Sequence, residues 1–218
     1  QGMTIVVSTP FMDEARRCNR IAFLQEGNIR GIDTPAVILD RFRNILCPPG
    51  LQRDIDTTET GTIIRVNGLV KQFGNFTAVD HISFEVKSGE IFGFLGANGA
   101  GKTTAMRILC GLSLPTGGNA EVMGFDVYTQ SEEIKRRIGY MSQKFSLYED
   151  LNVWENVRLF AGIYGVPDKE IPPRAEEMLH RIGLYESRHT LVRELPLGWK
   201  QRLAFSVAIF HRPQLVFL

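Results

Sequence analysis

The chain has 218 residues, of which 44% are hydrophobic and 22% charged, and its formal net charge is +1. This is the balance of an ordinary globular protein, and the length suits one large domain or two small ones. The nearly neutral charge, without a block rich in lysine and arginine, argues against a nucleic-acid-binding surface. No stretch approaches the roughly eighteen consecutive apolar residues of a membrane span, and no signal peptide opens the chain.

The cysteines and histidines indicate no metal site. Cys18, Cys47 and Cys110 lie far apart and follow no metal-ligand spacing. Such cysteines are typical of buried or incidental thiols in a reducing compartment, so we expect a cytoplasmic protein. The histidines match no chemical motif, and we expect them at the surface or in packing; they are His81, His180, His189 and His211.

The first forty residues alternate strand and helix patterns. Apolar runs predict buried strands at residues 4–8 and 21–24, and residues 12–17 form a short helical pattern with acids first and bases last. Thr34 and Pro35 supply an N-cap and a first helical residue for a helix that runs to Phe42.

Residues 45–61 change character. A Cys-Pro-Pro-Gly sequence at 47–50 is followed by a polar run at 54–60. This composition predicts a linker between residues 1–44 and a second unit at 62–218. Gln1 is not an initiator methionine and Leu218 falls inside an apolar strand pattern, so we expect both ends to be cuts through a longer protein.

The second unit contains the most informative stretch, at residues 96–103. Gly-Ala-Asn-Gly-Ala-Gly-Lys-Thr fits the spacing G-x-x-x-x-G-K-[ST], in which glycines let backbone N–H groups wrap a phosphate chain. An apolar strand precedes it at 90–95, and a helix pattern follows at 104–110. We therefore predict that this chain binds a nucleoside triphosphate through Gly96, Asn98, Gly99, Ala100, Gly101, Lys102, Thr103 and Thr104, with the Thr103 hydroxyl on Mg²⁺.

The remaining patterns complete an α/β layered fold. Alternating strands at 62–86 predict an antiparallel flank, and a strand at 137–141 leads into Ser142 and Gln143. Helices are predicted at 153–164, 174–182 and 200–210, and the last residues form a strand pattern.

With these motifs in order, residues 62–218 resemble the nucleotide-binding domain of ABC transporters. The resemblance implies a P-loop NTPase fold with a central, mostly parallel sheet, an antiparallel β flank and a helical signature subdomain. Residues 71–74, Lys-Gln-Phe-Gly, look like the A-loop, which implies that Phe73 stacks on adenine, an interaction worth about 1 to 3 kcal/mol per base. Residues 139–143 resemble the Q-loop, which implies that Gln143 approaches Mg²⁺ and the attacking water.

The signature-like segment departs from its family pattern. Residues 195–202 stand where the family has L-S-G-G-Q followed by a helix, yet only Leu195 and Gly198 match within those five positions. Pro196 replaces the serine that contacts phosphate and has neither a hydroxyl nor an N–H. The variant is similar to one in bacterial efflux-type ATPases with two fused nucleotide-binding domains. The signature-like residues are Leu195, Gly198, Trp199 and Gln201.

Residues 2–43 resemble the closing segment of a preceding nucleotide-binding domain, with Pro10 in place of the switch histidine. In head-to-tail pairing, Pro10 and Pro196 would fall in one composite site, which leaves the site around Lys102 as the hydrolytic one. The sequence stops before the family's Mg²⁺-binding aspartate and catalytic glutamate, so we expect this fragment to bind ATP better than it hydrolyses it.

The family's strand order also predicts how residues 1–44 fold. The strand that precedes the switch position lies between the phosphate-loop strand and the strand at the chain end. We therefore predict that residues 4–8 insert between 91–95 and 215–218, which would avoid two buried strands with unpaired backbone groups.

By resemblance, the function is that of the ATPase subunit of an ABC transporter, in the form of a bacterial exporter. Its cofactors would be ATP and Mg²⁺, and its partners a transmembrane domain and a second nucleotide-binding domain, at the inner face of the cell membrane. The aromatic and apolar residues after Gln143 suggest a docking surface for a membrane helix end. The alternatives are a soluble ABC-type ATPase acting on ribosomes or nucleic acid, and a P-loop kinase.

Overall fold

A computed structural model describes residues 3–9, 12–41, 61–141 and 147–218. The chain divides into two compact units, Gln1–Ile138 with Phe217, and Gly139–Val216 with Leu218. Most of the predicted linker, and also Pro10 and Gln143, lie outside the described residues. Within the described ranges, no helix combines the length and the apolar character needed to cross a membrane.

Within the described residues, ten strands form two sheets. They are β1 (Thr4–Thr9), β2 (Arg20–Gln25), β3 (Asn28–Asp33), β4 (Thr62–Phe73), β5 (Phe76–Lys87), β6 (Ile91–Gly96), β7 (Gly117–Val122), β8 (Phe125–Asp126), β9 (Ile138–Tyr140) and β10 (Leu215–Phe217). The helices are α1 (Met12–Ala15), α2 (Pro35–Arg41), α3 (Lys102–Leu109), α4 (Ser131–Arg137), α5 (Val153–Ile163), α6 (Ile171–Ile182) and α7 (Leu197–Ala208).

The larger sheet has six strands in the order β3-β2-β6-β1-β10-β9. Strand β1 pairs in parallel with β6, with Ile5 opposite Ile91 and Thr9 opposite Leu95. This order confirms the predicted position of residues 4–8 beside the phosphate-loop strand and next to the strand at the chain end. Residues 3–9 and 12–41 therefore belong to the same compact unit as residues 62–138, because strand β1 completes their sheet.

The smaller sheet is the predicted antiparallel flank. Its order is β5-β4-β7-β8, and the twelve-residue strands β4 and β5 form a hairpin that closes at Gly74 and Asn75. Between the sheets, Phe84 of β5 stacks on Phe92 of β6 at a ring-centroid distance of 5.4 Å and meets the edge of Phe94 at 5.3 Å. These fully or nearly fully buried rings hold the phosphate-loop strand against the flank.

The second compact unit, Gly139–Val216 with Leu218, is mainly helical and has its own core. The apolar faces of α5, α6 and α7 form this core, in which Val157, Leu179 and Leu203 are completely buried. Asn152 begins α5 with a capping box, in which its side chain accepts from the Glu155 N–H while the Glu155 carboxylate accepts from the Asn152 N–H.

Several predicted boundaries were wrong. Helix α6 begins at Ile171 rather than at residue 174, because Pro172 and Pro173 occupy its first turn, where a missing N–H costs nothing. Helix α7 begins at Leu197 rather than at 200, directly after Pro196. Strands β3, β7 and β8 and helix α4 were not predicted from the sequence, and the phosphate-loop helix begins at Lys102 rather than at residue 104.

Candidate functional site

The predicted strand, loop and helix are present around residues 96–103. Strand β6 ends at Gly96, α3 begins at Lys102, and the turn between them carries Gly99 and Gly101 with φ of +84° and +92°. Only glycine adopts these left-handed conformations without strain, and they let successive amides face the same side. Because α3 starts at the end of this turn, its partial positive charge adds to the field of the loop.

Two glycines of the loop lie against backbone carbonyls of other strands. A β-carbon at Gly96 would lie 2.2 Å from the Leu24 carbonyl oxygen, and one at Gly101 would lie 2.2 Å from the Ala78 carbonyl oxygen. Backbone atoms cannot move aside as a flexible side chain can. The loop is therefore held between β2 and β5, with Ala100 buried and Asn98 exposed.

The Lys102 side chain is folded into this loop. Its residue is 6% exposed, and its ammonium donates to the carbonyl oxygens of Gly96 at 2.6 Å and Ala97 at 2.9 Å. Burial lowers the pKa of Lys102 below its ordinary value. An ammonium has three N–H donors, so the group can hold the loop and also serve as a point charge for an anion.

The next two residues present hydroxyls in the first turn of α3. Thr103 is exposed and Thr104 is half-buried. Within the described part of the chain, no group of three or more histidine, cysteine or acidic residues could enclose a metal ion. A single hydroxyl oxygen beside a phosphate site suits Mg²⁺, which keeps several waters and binds through one or two protein oxygens and substrate phosphates.

The predicted base-stacking residue lies at the end of the long hairpin. Phe73 is the last residue of β4 and is 55% exposed, while Phe76, its partner in the β4–β5 register, is 63% exposed. The Lys71 ammonium lies over the Phe73 ring, 5.0 Å from the centroid. An aromatic ring held at the surface in this way can stack on a planar base.

The signature-like residues fall into two groups within the second unit. Leu195 is buried and Trp199 is half-buried, with the Arg202 guanidinium 5.2 Å from the Trp199 ring centroid and Gly183 beneath the ring. Gly198 and Gln201 are exposed in the first turns of α7. Leu195 and Trp199 therefore contribute to packing within this unit, whereas Gly198 and Gln201 are available for contacts with another molecule.

One buried polar residue was missed by the sequence analysis. Asn156 of α5 is fully buried and its amide nitrogen donates to the carbonyls of Tyr148, Leu151 and Asn152, at 2.9, 3.3 and 3.0 Å. Its side-chain oxygen accepts from the Tyr148 N–H at 2.9 Å. A polar residue in the apolar stripe of α5 was the available signal. Asn156 therefore fixes residues 148–152, which overlap the end of the predicted docking segment at 144–151.

Comparison with known proteins assigns the chain to a family. Residues 79–218 match the ABC transporter family, and the match includes the phosphate loop and the whole second unit. The chain belongs to the ABC transporter family. A solved structure described as the ATP binding subunit of an ABC transporter aligns with a TM-score of 0.65 and 27% identity, over 71% of this chain and 65% of that one. The predicted family and fold class are thus confirmed, and ATP is the nucleotide that this ABC domain implies.

Two bacterial relatives of this ABC transporter chain have assigned roles. The probable multidrug ABC transporter ATP-binding protein YbhF of Escherichia coli is 44% identical over 164 residues, which cover 75% of this chain and 28% of YbhF. The bacitracin transport ATP-binding protein BcrA of Bacillus licheniformis is 41% identical over 157 residues, which cover 72% of this chain and 50% of BcrA. The chain thus spans between about a quarter and a half of these relatives.

Proposed function

We propose that this chain is the ATP-binding part of an ABC exporter ATPase, which couples ATP binding and hydrolysis to transport through a membrane domain. The observation that carries the proposal is the loop of residues 96–103, in which left-handed glycines, the start of α3 and the Lys102 ammonium converge. The names of YbhF and BcrA, which refer to multidrug and bacitracin transport, support an exporter.

Each residue of the loop would have a distinct part in binding. The amides of Asn98, Gly99 and Gly101 would face the phosphates, with Ala100 holding the turn through its N–H to the Ala97 carbonyl, and Lys102 would meet their charge while it stays anchored to the loop. Mg²⁺ would neutralise phosphate charge, held by the Thr103 hydroxyl, and Thr104 would add a second hydroxyl in the same turn. Phe73 would stack on adenine.

Hydrolysis would transfer the terminal phosphoryl group to water, for which the protein supplies positioning and charge stabilisation. Gln143 would orient the water. By resemblance, a second nucleotide-binding domain would complete the site through its own signature segment, while Gly198 and Gln201 of this chain would serve the opposite site. With Pro10 and Pro196 both in that opposite site, the site around Lys102 would carry most of the hydrolysis.

The domain assignment also belongs to this proposal. Residues 1–44 would derive from a preceding nucleotide-binding domain, 45–61 from the linker and 62–218 from a second domain. The full protein would lie at the inner face of the membrane, with a membrane domain as its partner. That partner would dock at residues 144–151, of which the structure describes 147–151, and the exposed Tyr148 side chain supports this.

Two alternatives receive less support. An ATPase acting on ribosomes or nucleic acid would need clustered cations, whereas the net charge is +1 and many arginines are paired with carboxylates. A P-loop kinase would explain the phosphate loop but not the match over residues 79–218.

Calorimetry with ATP and Mg²⁺ tests the proposal. Lys102→Ala removes a charge-assisted contact worth about 1.5 to 3 kcal/mol, so we expect a loss of affinity of about ten- to 150-fold. Lys87→Ala, at the exposed end of β5, removes the same charge elsewhere and should leave the affinity unchanged. Equal affinities for the wild type and Lys102→Ala would refute the site.

A further inference from the structure

Lys71 and Phe73 form a pair on the smaller sheet that the family assignment does not explain. They are two residues apart on β4, so their side chains lie on the same face of the strand. The Lys71 ammonium lies over the Phe73 ring at 5.0 Å from its centroid, within the range of a cation–π contact. One face of the exposed ring is thus covered by a charge.

The position of the ammonium is fixed from a second side. Lys71 Nζ donates to the Leu114 carbonyl oxygen at 2.7 Å, in the segment that follows α3. That segment is itself tied to β4, since Gln72 N–H donates to Thr116 Oγ1 at 3.1 Å and Thr116 N–H donates to the Val70 carbonyl at 2.8 Å. The lysine is half-buried although Phe73 is 55% exposed, so the cation is held in place beneath an exposed ring.

We propose that Lys71 is a positioning residue for the nucleotide base. It covers one face of Phe73 and fixes the orientation of the ring, so that the opposite face receives the base in a stack of base, ring and ammonium. The ring would then lose little rotamer freedom when the base arrives, which is the usual benefit of preorganisation. This inference rests on the proposed function, because it assigns the base end of the same nucleotide site.

The test compares ligands that have a base with one that has none. In calorimetry, Lys71→Met should weaken the binding of both Mg²⁺-ATP and Mg²⁺-GTP about two- to fivefold, the equivalent of about 0.5 to 1 kcal/mol for a cation–π contact. The affinity for Mg²⁺-tripolyphosphate should stay unchanged, because that ligand has no base. Lys71→Arg should retain the wild-type values, and Lys87→Met controls for the lost charge.

A double variant separates positioning from a general structural role. In a Phe73→Leu background, Lys71→Met should have no further effect on ATP affinity, since the ring through which it acts is gone. A loss that persists in that background, or an equal loss for tripolyphosphate, would overturn the inference in favour of a direct phosphate contact or of loop distortion.

The Lys102→Ala result distinguishes the two levels of failure. If Lys102→Ala lowers ATP affinity while Lys71→Met leaves it unchanged, the base-positioning role is wrong and the nucleotide site stands. If neither variant changes ATP affinity, the nucleotide site itself is wrong, and the role of Lys71 falls with it.

Discussion

The α-carbon of Gly101 lies so close to β5 that an added β-carbon would stand 2.2 Å from the Ala78 carbonyl oxygen. Gly101 also has a φ of +92° and immediately precedes α3. One glycine therefore meets two requirements, since it permits the left-handed turn and it allows the loop to rest on the backbone of a neighbouring strand.

The first prediction concerns this contact. Gly101→Ala should displace the loop, lower the free energy of unfolding by about 1 to 3 kcal/mol, and weaken ATP binding. Denaturant unfolding and calorimetry measure the two effects. Gly162→Ala, in α5 with open space around it, is the matched control and should be neutral or stabilising by up to about 1 kcal/mol. Identical stability of the Gly101→Ala protein would show that the contact with Ala78 is not structural.

A second prediction concerns acid stability. Asp80 accepts hydrogen bonds from His81 Nδ1 at 2.7 Å and from Asn28 Nδ2 at 3.3 Å, and these contacts lower the pKa of Asp80 below its ordinary value of 3.8. Because the folded-state pKa is the lower one, the stabilisation is complete above the ordinary value and is lost as pH falls through the folded-state pKa.

Melting temperatures measured between about pH 7 and pH 3 test this effect. Asp80→Asn should be less stable than the wild type at neutral pH, and the difference should shrink in acid. The exposed Asp168→Asn serves as the control. A constant difference across the range would indicate that the Asp80 carboxylate has no part in the acid response.

The third prediction concerns the buried amide of α5. Asn156→Ala leaves the Tyr148 N–H without its side-chain acceptor and removes one of the two donors to each of the carbonyls of Tyr148, Leu151 and Asn152, so we expect a loss of about 1 to 3 kcal/mol in the free energy of unfolding. Chemical denaturation monitored by the tryptophans, both in the second unit, reports the change. Asn119→Ala on the exposed side of β7 should change stability by less than about 0.5 kcal/mol. Similar values for the two variants would contradict the role of Asn156.

The fourth prediction concerns thiol reactivity. Burial, with a smaller contribution from the Glu14 charge, raises the pKa of Cys18 to about 11, and burial also raises the pKa of Cys110. Since the thiolate is the reactive form, neither should react quickly with maleimide near pH 7 in the folded protein. In a Cys47→Ser variant, both should react once denaturant is added. Rapid labelling of the folded variant would mean that one of these side chains is accessible.

Much of the candidate site was predictable because local sequence determines it. The spacing of Gly96, Gly101 and Lys102 specifies a turn, a left-handed conformation and a cation without reference to the rest of the chain, and the observed loop agrees. The position of β1 beside β6 was predictable for a different reason: the resemblance to the ABC family implies a strand at that place in the sheet, and without it buried backbone groups would stay unpaired. The roles proposed for Phe73 and Gln143 remain predictions.

Tertiary structure alone decided the features that depend on partners distant in sequence. Strand β7 has the sequence Gly-Gly-Asn-Ala-Glu-Val, which carries almost no apolar alternation, and it forms because β4 offers it a hydrogen-bonding edge. Lys71 is fixed because the Leu114 carbonyl, which lies beyond α3 in the sequence, accepts a hydrogen bond from its ammonium. The sequence by itself determined the phosphate loop and most helices. The pairing of strand β7, the buried polar contacts and the support of the Phe73 ring depended on packing. Their energies come from groups that only the folded chain brings together.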